Sequence, residues 1–139
     1  MNESTIVKRV KNLDLPLSKV VVIGSGVLDA LGLREAQDVD LVVDQELFSL
    51  LRDTGEWQSA IVHGEEALYS EVHDAEVWQS WGSEGAPNFT ELMDESIEVG
   101  GVHFANPTFV MEWKKQRNRP KDERDVALLE AYLKGNGTA

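Results

Sequence analysis

Two aspartates one residue apart, Asp38 and Asp40, are the side chains of this sequence best suited to chemistry. The apolar run that contains them ends at Val43 and predicts a strand. Side chains at positions i and i+2 of a strand project from the same face, so both carboxylates would point the same way. Two ionised groups in an apolar strand repel each other. A divalent cation would relieve that repulsion, and carboxylate oxygens suit Mg²⁺ or Mn²⁺.

A glycine-containing turn precedes the two aspartates. The apolar run Val20–Ile23 breaks at Gly24-Ser25-Gly26, and a short helical pattern follows. Backbone N–H groups of such a turn, at the start of a helix, can face a phosphate. A phosphate-binding turn beside a metal-binding carboxylate pair is the equipment of phosphoryl or nucleotidyl transfer. The alternative interpretation is an ordinary turn followed by a surface hairpin strand with two solvated aspartates.

These residues resemble the signature of the polymerase-β-type nucleotidyltransferase superfamily, in particular its small bacterial members. That signature is an apolar strand, Gly-Ser or Gly-Gly, a spacer, and then Asp-apolar-Asp-apolar. Here the match is Gly24-Ser25 followed by the run Asp38–Leu41, which reads Asp-Val-Asp-Leu. The resemblance implies that Asp38 and Asp40 bind Mg²⁺ or Mn²⁺. It also implies that Gly24 and Ser25 hold the phosphates of an NTP, with ATP as the expected nucleotide.

A third carboxylate often lies on a later strand in that superfamily, beside the first pair. The best position in this sequence is Glu76, within the predicted strand Ala75–Trp81. A strand there would place Glu76 and Trp78 on one face while Val77 packs on the other. Glu76 would then be a catalytic residue, as a metal ligand or general base. Asp74 has the same parity and is the competing candidate, and a solvent-facing strand glutamate is the structural alternative.

A concentrated basic segment, from Lys114 to Arg124, lies in the last third of the chain. With the acids around it, this segment resembles a Lys…Arg-Pro-Lys-Asp…Asp pattern that closes many small bacterial members of the superfamily, including antitoxin-like ones. Lys114 on one helix and Lys121 at the start of the next could converge on a triphosphate. Asp122 stands favourably in a first helical turn. It is more simply a cap or an ion-pair partner of Arg119 than a catalytic group.

Composition bounds the class of protein. A chain of 139 residues predicts one domain over 1–139, with a core at about 19–104 and a helical segment at about 106–134. The absence of cysteine excludes disulfides, zinc–thiolate sites and thiol nucleophiles. No stretch approaches the ~18 apolar residues of a membrane span, and the start has no apolar leader. A cytoplasmic protein with no membrane partner is therefore expected.

The charge distribution is uneven. The net charge of −12 argues against broad, non-specific nucleic-acid binding. From Asp53 to Trp113, both included, there are thirteen acidic residues and no Lys or Arg, whereas six of the thirteen basic residues fall in the segment from Lys114 to Arg124. This pattern favours a small anionic ligand such as a nucleotide, and an acceptor that is a small molecule or protein rather than a long RNA. A solvated helix face would give the same pattern. A nucleotide-stacking role is assigned only weakly to Trp81 or Trp113.

The elements that must position these residues follow from periodicity and from Gly and Pro breaks. Helices are predicted at 5–13, 25–33, 45–53 and 88–96, with two more on either side of Pro120. The first of these two is predicted to start with Asn106 as its N-cap and Pro107 at its first position, and the second to end at Gly135. Strands are predicted at 19–24, 37–44, 57–63, 68–72, 75–81 and 97–104, and a loop at 82–87. The predicted fold class is α/β or α+β, a small mixed sheet flanked by helices with a helical C-terminal end. The superfamily resemblance implies the same nucleotidyltransferase-like architecture.

Two functional hypotheses follow. The first is a Mg²⁺-dependent nucleotidyltransferase that moves an NMP group from an NTP to the hydroxyl of an unknown acceptor. The second is a catalytically weak or inactive nucleotide-binding or antitoxin-like module that acts through a partner protein. The second hypothesis stays open because the chain is short for an enzyme that must also recognise an acceptor.

Overall fold

A computed structural model of the protein describes residues 5–62, 64–80 and 88–136. His63, Trp81 and the predicted loop 82–87 lie outside the described residues. The helices of the described chain, α1 to α6, are Thr5–Asn12, Ser25–Ala30, Gln45–Thr54, Phe89–Asp94, Pro107–Arg117 and Pro120–Asn136. The strands, β1 to β7, are Val20–Ile23, Val39–Val43, Gln58–Val62, Glu65–Ser70, Ala75–Trp78, Ile97–Val99 and Val102–Phe104. A single 3₁₀ turn, Leu17–Lys19, leads into β1.

The described strands form one mixed sheet in the order β3-β4-β5-β2-β1-β7-β6. β2 is parallel to β5 and β1 is parallel to β7, whereas β1 and β2 are antiparallel. The remaining pairs, β3–β4, β4–β5 and β6–β7, are also antiparallel. This mixed sheet, with its helices, confirms the fold class that the sequence predicts. None of the described helices is long and apolar enough to cross a membrane.

The centre of the sheet is also the centre of the core. All four residues of β1 and four of the five residues of β2 are buried, so both strands are covered on two faces. Near-continuous apolar runs such as these are typical of strands with both faces covered. The exception in β2 is Asp40, which is half-buried. A charged side chain in this position is costly in stability, and such a cost is common at functional sites.

Side-chain caps fix the starts of three helices. Asp44 accepts a hydrogen bond from the Leu47 N–H at 2.8 Å at the start of α3. Asn88 and Glu91 form a reciprocal capping box at the start of α4. Asn106 caps α5, and Pro107 occupies its first turn, as the sequence predicts.

Some predicted boundaries are wrong. α2 ends at Ala30 rather than at residue 33, and β2 begins at Val39, so Asp38 lies immediately before the strand. β4 runs over Glu65–Ser70 rather than over 68–72, and Val72 is 90% exposed in the following turn. Glutamate is a poor strand former by propensity. Here cross-strand pairing with β3 decides the register, because Val62 stands opposite Glu65. The last helix also continues past the predicted stop at residue 135.

Candidate functional site

One cavity of about 740 Å³ is lined by all seven residues predicted to form the site. These residues are Gly24, Ser25, Asp38, Asp40, Glu76, Lys114 and Lys121. They fall on two walls. The sheet wall consists of the carboxylates and the glycine turn, and the helical wall consists of the corner between α5 and α6.

The sheet register brings Asp40 and Glu76 together. In the parallel pair β2–β5, Asp40 stands directly opposite Glu76, and Val77 beside it is fully buried. Asp38 lies just before β2, is exposed and lines the same wall. Asp74 lies in the turn before β5 with φ +53° and is exposed; it does not line the cavity. Of the two candidates for a third carboxylate, Glu76 is therefore the one beside the pair.

The ionised form of Asp40 is disfavoured in this setting. Burial, reinforced by the charges of Glu76 and Asp38, raises the pKa of Asp40 from 3.8 to about 7. The cations Lys114 and Arg117 on the opposite wall oppose this shift in part. The nearby cations therefore compensate only part of the negative charge on the sheet wall.

Gly24 brings the turn backbone against the Asp40 carboxylate. Its φ is +67°, a region that favours glycine, and a Cβ at this position would lie 3.3 Å from Asp40 Oδ2. Ser25 begins α2, which has only six residues. A helix this short contributes little dipole, so a phosphate at the turn would depend on direct backbone N–H contacts.

The chemistry of the sheet wall fits a hard divalent cation. Among the described residues, no three His, Asp or Glu side chains already form a group that could hold a metal ion. However, Asp38, Asp40 and Glu76 offer only oxygen donors along one wall, and none of the described lining residues is a histidine. Such a donor set suits Mg²⁺ or Mn²⁺ rather than Zn²⁺. The uncompensated negative charge beside Asp40 is the second feature that a cation would satisfy.

Lys114 is not a free cation. Its side chain is 4% exposed, and its Nζ lies 3.0 Å from Asp125 Oδ2 and 3.5 Å from Asp122 Oδ1. A phosphate at Lys114 would have to compete with both carboxylates. The structure thus places this predicted phosphate ligand inside an ion-pair network of the helical wall.

Asp122 is the second centre of that network. It is 1% exposed and accepts hydrogen bonds from the Arg117 side chain at 2.6 and 3.0 Å and from Arg119 Nε at 3.1 Å. Burial alone would raise the pKa of Asp122, but these arginine hydrogen bonds hold it well below its ordinary value. The predicted ion pair with Arg119 is confirmed. Arg117 also lies over the Trp113 ring, 3.8 Å from its centroid, so a base that stacked on that ring face would have to displace it.

Arg34 is a cavity residue that sequence reasoning missed, and Asp125, the last acid of the Lys…Arg-Pro-Lys-Asp…Asp pattern, lines the cavity without having been predicted as a site residue. Arg34 Nε and Nη2 donate to the two oxygens of Asp125 at 2.6 and 2.7 Å, across 91 residues of chain. Burial opposes ionisation of Asp125, but hydrogen bonds from Arg34 and Lys114 keep its pKa below the ordinary value. The sequence offered one signal: Asp122 and Asp125 stand three residues apart and so share a face of a helix.

Two cations of the helical wall remain available to a ligand. Lys121 and Arg124 are exposed, line the cavity and form no ion pair with any other described residue. Arg124 was not singled out from the sequence. The arrangement can therefore hold cations on one wall and an anion on the other.

A solved structure with a similar fold is the crystal structure of ANT(2″)-Ia in complex with adenylyl-2″-tobramycin. The match has a TM-score of 0.54 and 16% sequence identity, and it covers 92% of this chain and 85% of that chain. No family model matches the chain, and no curated protein matches its sequence. An identity this low shows the fold alone. The chain thus has a nucleotidyltransferase-like fold.

Proposed function

We propose that this protein is a Mg²⁺-dependent nucleotidyltransferase that moves an NMP group from an NTP, with ATP as the expected nucleotide, to the hydroxyl of an acceptor. The observation that carries the proposal is the pairing of two walls across one cavity. One wall has three carboxylates and the facing wall has a basic corner with two available cations. A metal-bound polyphosphate is a ligand that needs both walls at once.

The residues divide by wall. Asp38, Asp40 and Glu76 would hold Mg²⁺, which would supply charge neutralisation for the phosphates and a lower pKa for the attacking hydroxyl. The N–H groups of the turn at Gly24 would contact the β- and γ-phosphates from the sheet side. Lys121 and Arg124 would contact them from the helical side, because their charges are not already neutralised by described carboxylates.

The chemical step requires little from the protein beyond position and charge. The acceptor oxygen forms a bond to the α-phosphorus while the bond from that phosphorus to the bridging β-oxygen breaks. Pyrophosphate leaves with the electron pair of the broken bond. The hydroxyl proton passes to Glu76, whose strand position places it beside Asp40.

The structural neighbour supports the same class of reaction. That protein was crystallised in complex with adenylyl-2″-tobramycin, in which an adenylyl group is joined to tobramycin. We propose nucleotidyl transfer for this chain but not tobramycin as its acceptor, because a structural similarity at 16% identity does not identify the acceptor.

The position of a label distinguishes this proposal from other phosphoryl chemistry. The protein is incubated with Mg²⁺, a panel of hydroxyl acceptors and ATP labelled at either the α- or the γ-phosphate. Transfer of the α-label to an acceptor, with the γ-label recovered in pyrophosphate, is the expected result. Transfer of the γ-label would show a kinase and would overturn the proposal. Asp38→Asn should abolish transfer, whereas Asp53→Asn, an exposed control outside the cavity, should not.

A further inference from the structure

The segment 31–38, which joins α2 to β2, delivers Asp38 to the cavity without forming a helix or strand. Its first part is held against α2, since the Leu33 N–H donates to the Leu28 carbonyl at 2.9 Å. Its second part is held at Ala36, whose N–H donates to the buried Asp29 carboxylate at 2.9 Å. These contacts connect the segment to α2, and Arg9 of α1 also donates from Nη1 to the Ala36 carbonyl at 3.2 Å.

Arg34 connects the same segment to the far end of the chain. Its guanidinium makes two hydrogen bonds to the carboxylate of Asp125 on α6, at 2.6 and 2.7 Å. The Asp125 side chain is 5% exposed, and Lys114 holds it from the other side at 3.0 Å. The pair is thus a two-point contact whose acceptor is fixed in position by a second cation.

The pair is unlike an ordinary surface salt bridge. An exposed pair contributes little because water screens it and the side chains lose freedom. A buried pair carries a large desolvation cost, and apolar replacements are often as stable. The net contribution of this pair to folding stability is therefore small. Its two-point geometry, however, specifies how Arg34, and with it the segment that ends at Asp38, sits against α6.

We propose that the Arg34–Asp125 pair, supported by Lys114, positions the 31–38 segment so that Asp38 lies on the sheet wall beside Asp40 and Glu76. Arg34 and Asp125 are then positioning residues, and α6 contributes to cation binding without supplying a ligand. This inference rests on the proposed function, because that function gives Asp38 its cation.

Simple electrostatics and the positioning role make opposite predictions for one variant. Removing the positive Arg34 from the cavity would by Coulomb's law alone strengthen the binding of a cation, whereas removing the negative Asp125 would weaken it. The positioning role predicts that both removals weaken binding, because either one releases the segment.

The experiment measures Mn²⁺ affinity by calorimetry, and hydrogen exchange at the Ala36 amide, in wild type, Arg34→Gln and Asp125→Asn. The matched control is Arg52→Gln, which breaks the ion pair with Glu66 (3.0 Å) outside the cavity. Since Asp125→Asn removes a buried carboxylate, Arg34→Gln is the decisive variant; it leaves Lys114 paired with Asp125.

We expect Arg34→Gln and Asp125→Asn each to weaken Mn²⁺ binding about tenfold. Exchange at the Ala36 amide, which donates to the Asp29 carboxylate, should rise by about tenfold while β1 and β2 keep their protection. The control should match wild type in both measurements. Unchanged or tighter Mn²⁺ binding in Arg34→Gln would overturn the positioning role, and so would unchanged exchange. A wild type that binds no Mn²⁺ would instead refute the proposed function, and the exchange data would still decide whether the pair holds the segment.

Discussion

Replacing Asp40 with Asn should stabilise the protein at neutral and alkaline pH in the absence of metal. Asp40 is half-buried beside Glu76 and Asp38, and its pKa is raised from 3.8 to about 7. A raised pKa means that the folded state favours the protonated carboxyl. The stability from this carboxyl is therefore fully present below pH 3.8 and is lost as the pH rises through about 7.

The magnitude follows from the two pKa values. At about 1.4 kcal/mol for each tenfold change in proton affinity, the ionised carboxylate costs the folded state about 4 kcal/mol above pH 7. Relaxation of the side chain toward water reduces this cost, so we expect Asp40→Asn to raise the free energy of unfolding above pH 7 by about 2 to 4 kcal/mol. Asparagine has nearly the same shape and no charge at any pH, so Asp40→Asn avoids the loss. For a domain of this size, 1 kcal/mol corresponds to about 3 °C in Tm.

The assay is urea unfolding of wild type and Asp40→Asn with a chelator present, at pH values from 4 to 9. The stability advantage of the variant should be near zero at pH 4, grow up to about pH 7 and stay constant above it. Asp53→Asn, an exposed aspartate on α3, serves as the control and should show no such trend. An advantage that does not change with pH, or a variant less stable than wild type at pH 8, would refute the electrostatic reasoning.

Three further predictions concern the other parts of the cavity. Asp122→Asn should destabilise the protein by about 2 to 3 kcal/mol at pH 7, because it leaves the buried Lys114 and the half-buried Arg117 with less compensating charge. Since the pKa of Asp122 is lowered in the folded protein, the difference from wild type in the free energy of unfolding should shrink as the pH falls below 4. A difference that stays constant with pH would contradict this reasoning. Lys121→Met and Arg124→Met should each weaken the binding of an ATP analogue, measured by calorimetry, about three- to tenfold at unchanged Tm. Lys115→Met, outside the cavity, is the control. Equal effects at all three positions would argue against a specific phosphate contact. Gly24→Ala should lower the free energy of unfolding by about 1 to 3 kcal/mol, since alanine disfavours a φ of +67° and its Cβ would crowd the Asp40 carboxylate. A denaturation curve equal to that of wild type would show that the backbone of the turn adjusts to alanine without cost.

Local signals predicted the parts of the fold that depend on neighbouring residues. The apolar runs of β1 and β2, the glycine break between them and the Asn106–Pro107 helix start are all readable within a few residues. The parity argument for Glu76 also held geometrically, because alternation along β5 is a local property and Glu76 stands opposite Asp40.

The parts that sequence reasoning missed depend on approach between distant segments. Nothing near Arg34 indicates that it meets Asp125, 91 residues later. The sequence indicates that Lys114 is a free cation, but the turn between α5 and α6 brings the carboxylates of Asp122 and Asp125 into contact with it. Sequence periodicity predicts which face of a helix or strand a residue occupies. It does not predict which other element packs against that face, so ion-pair partners from distant segments cannot be identified from it.

The measurement that tests the central claim most directly is a titration with a non-hydrolysable ATP analogue, with and without Mg²⁺, followed by tryptophan fluorescence and Tm. The account predicts Mg²⁺-dependent binding that stabilises the fold by about 2.7 kcal/mol at one hundred times Kd. The same titration should show no stabilisation in Asp38→Asn. Absence of a shift at millimolar nucleotide, or a shift that does not depend on Mg²⁺ or on Asp38, would contradict a nucleotide site between the two walls.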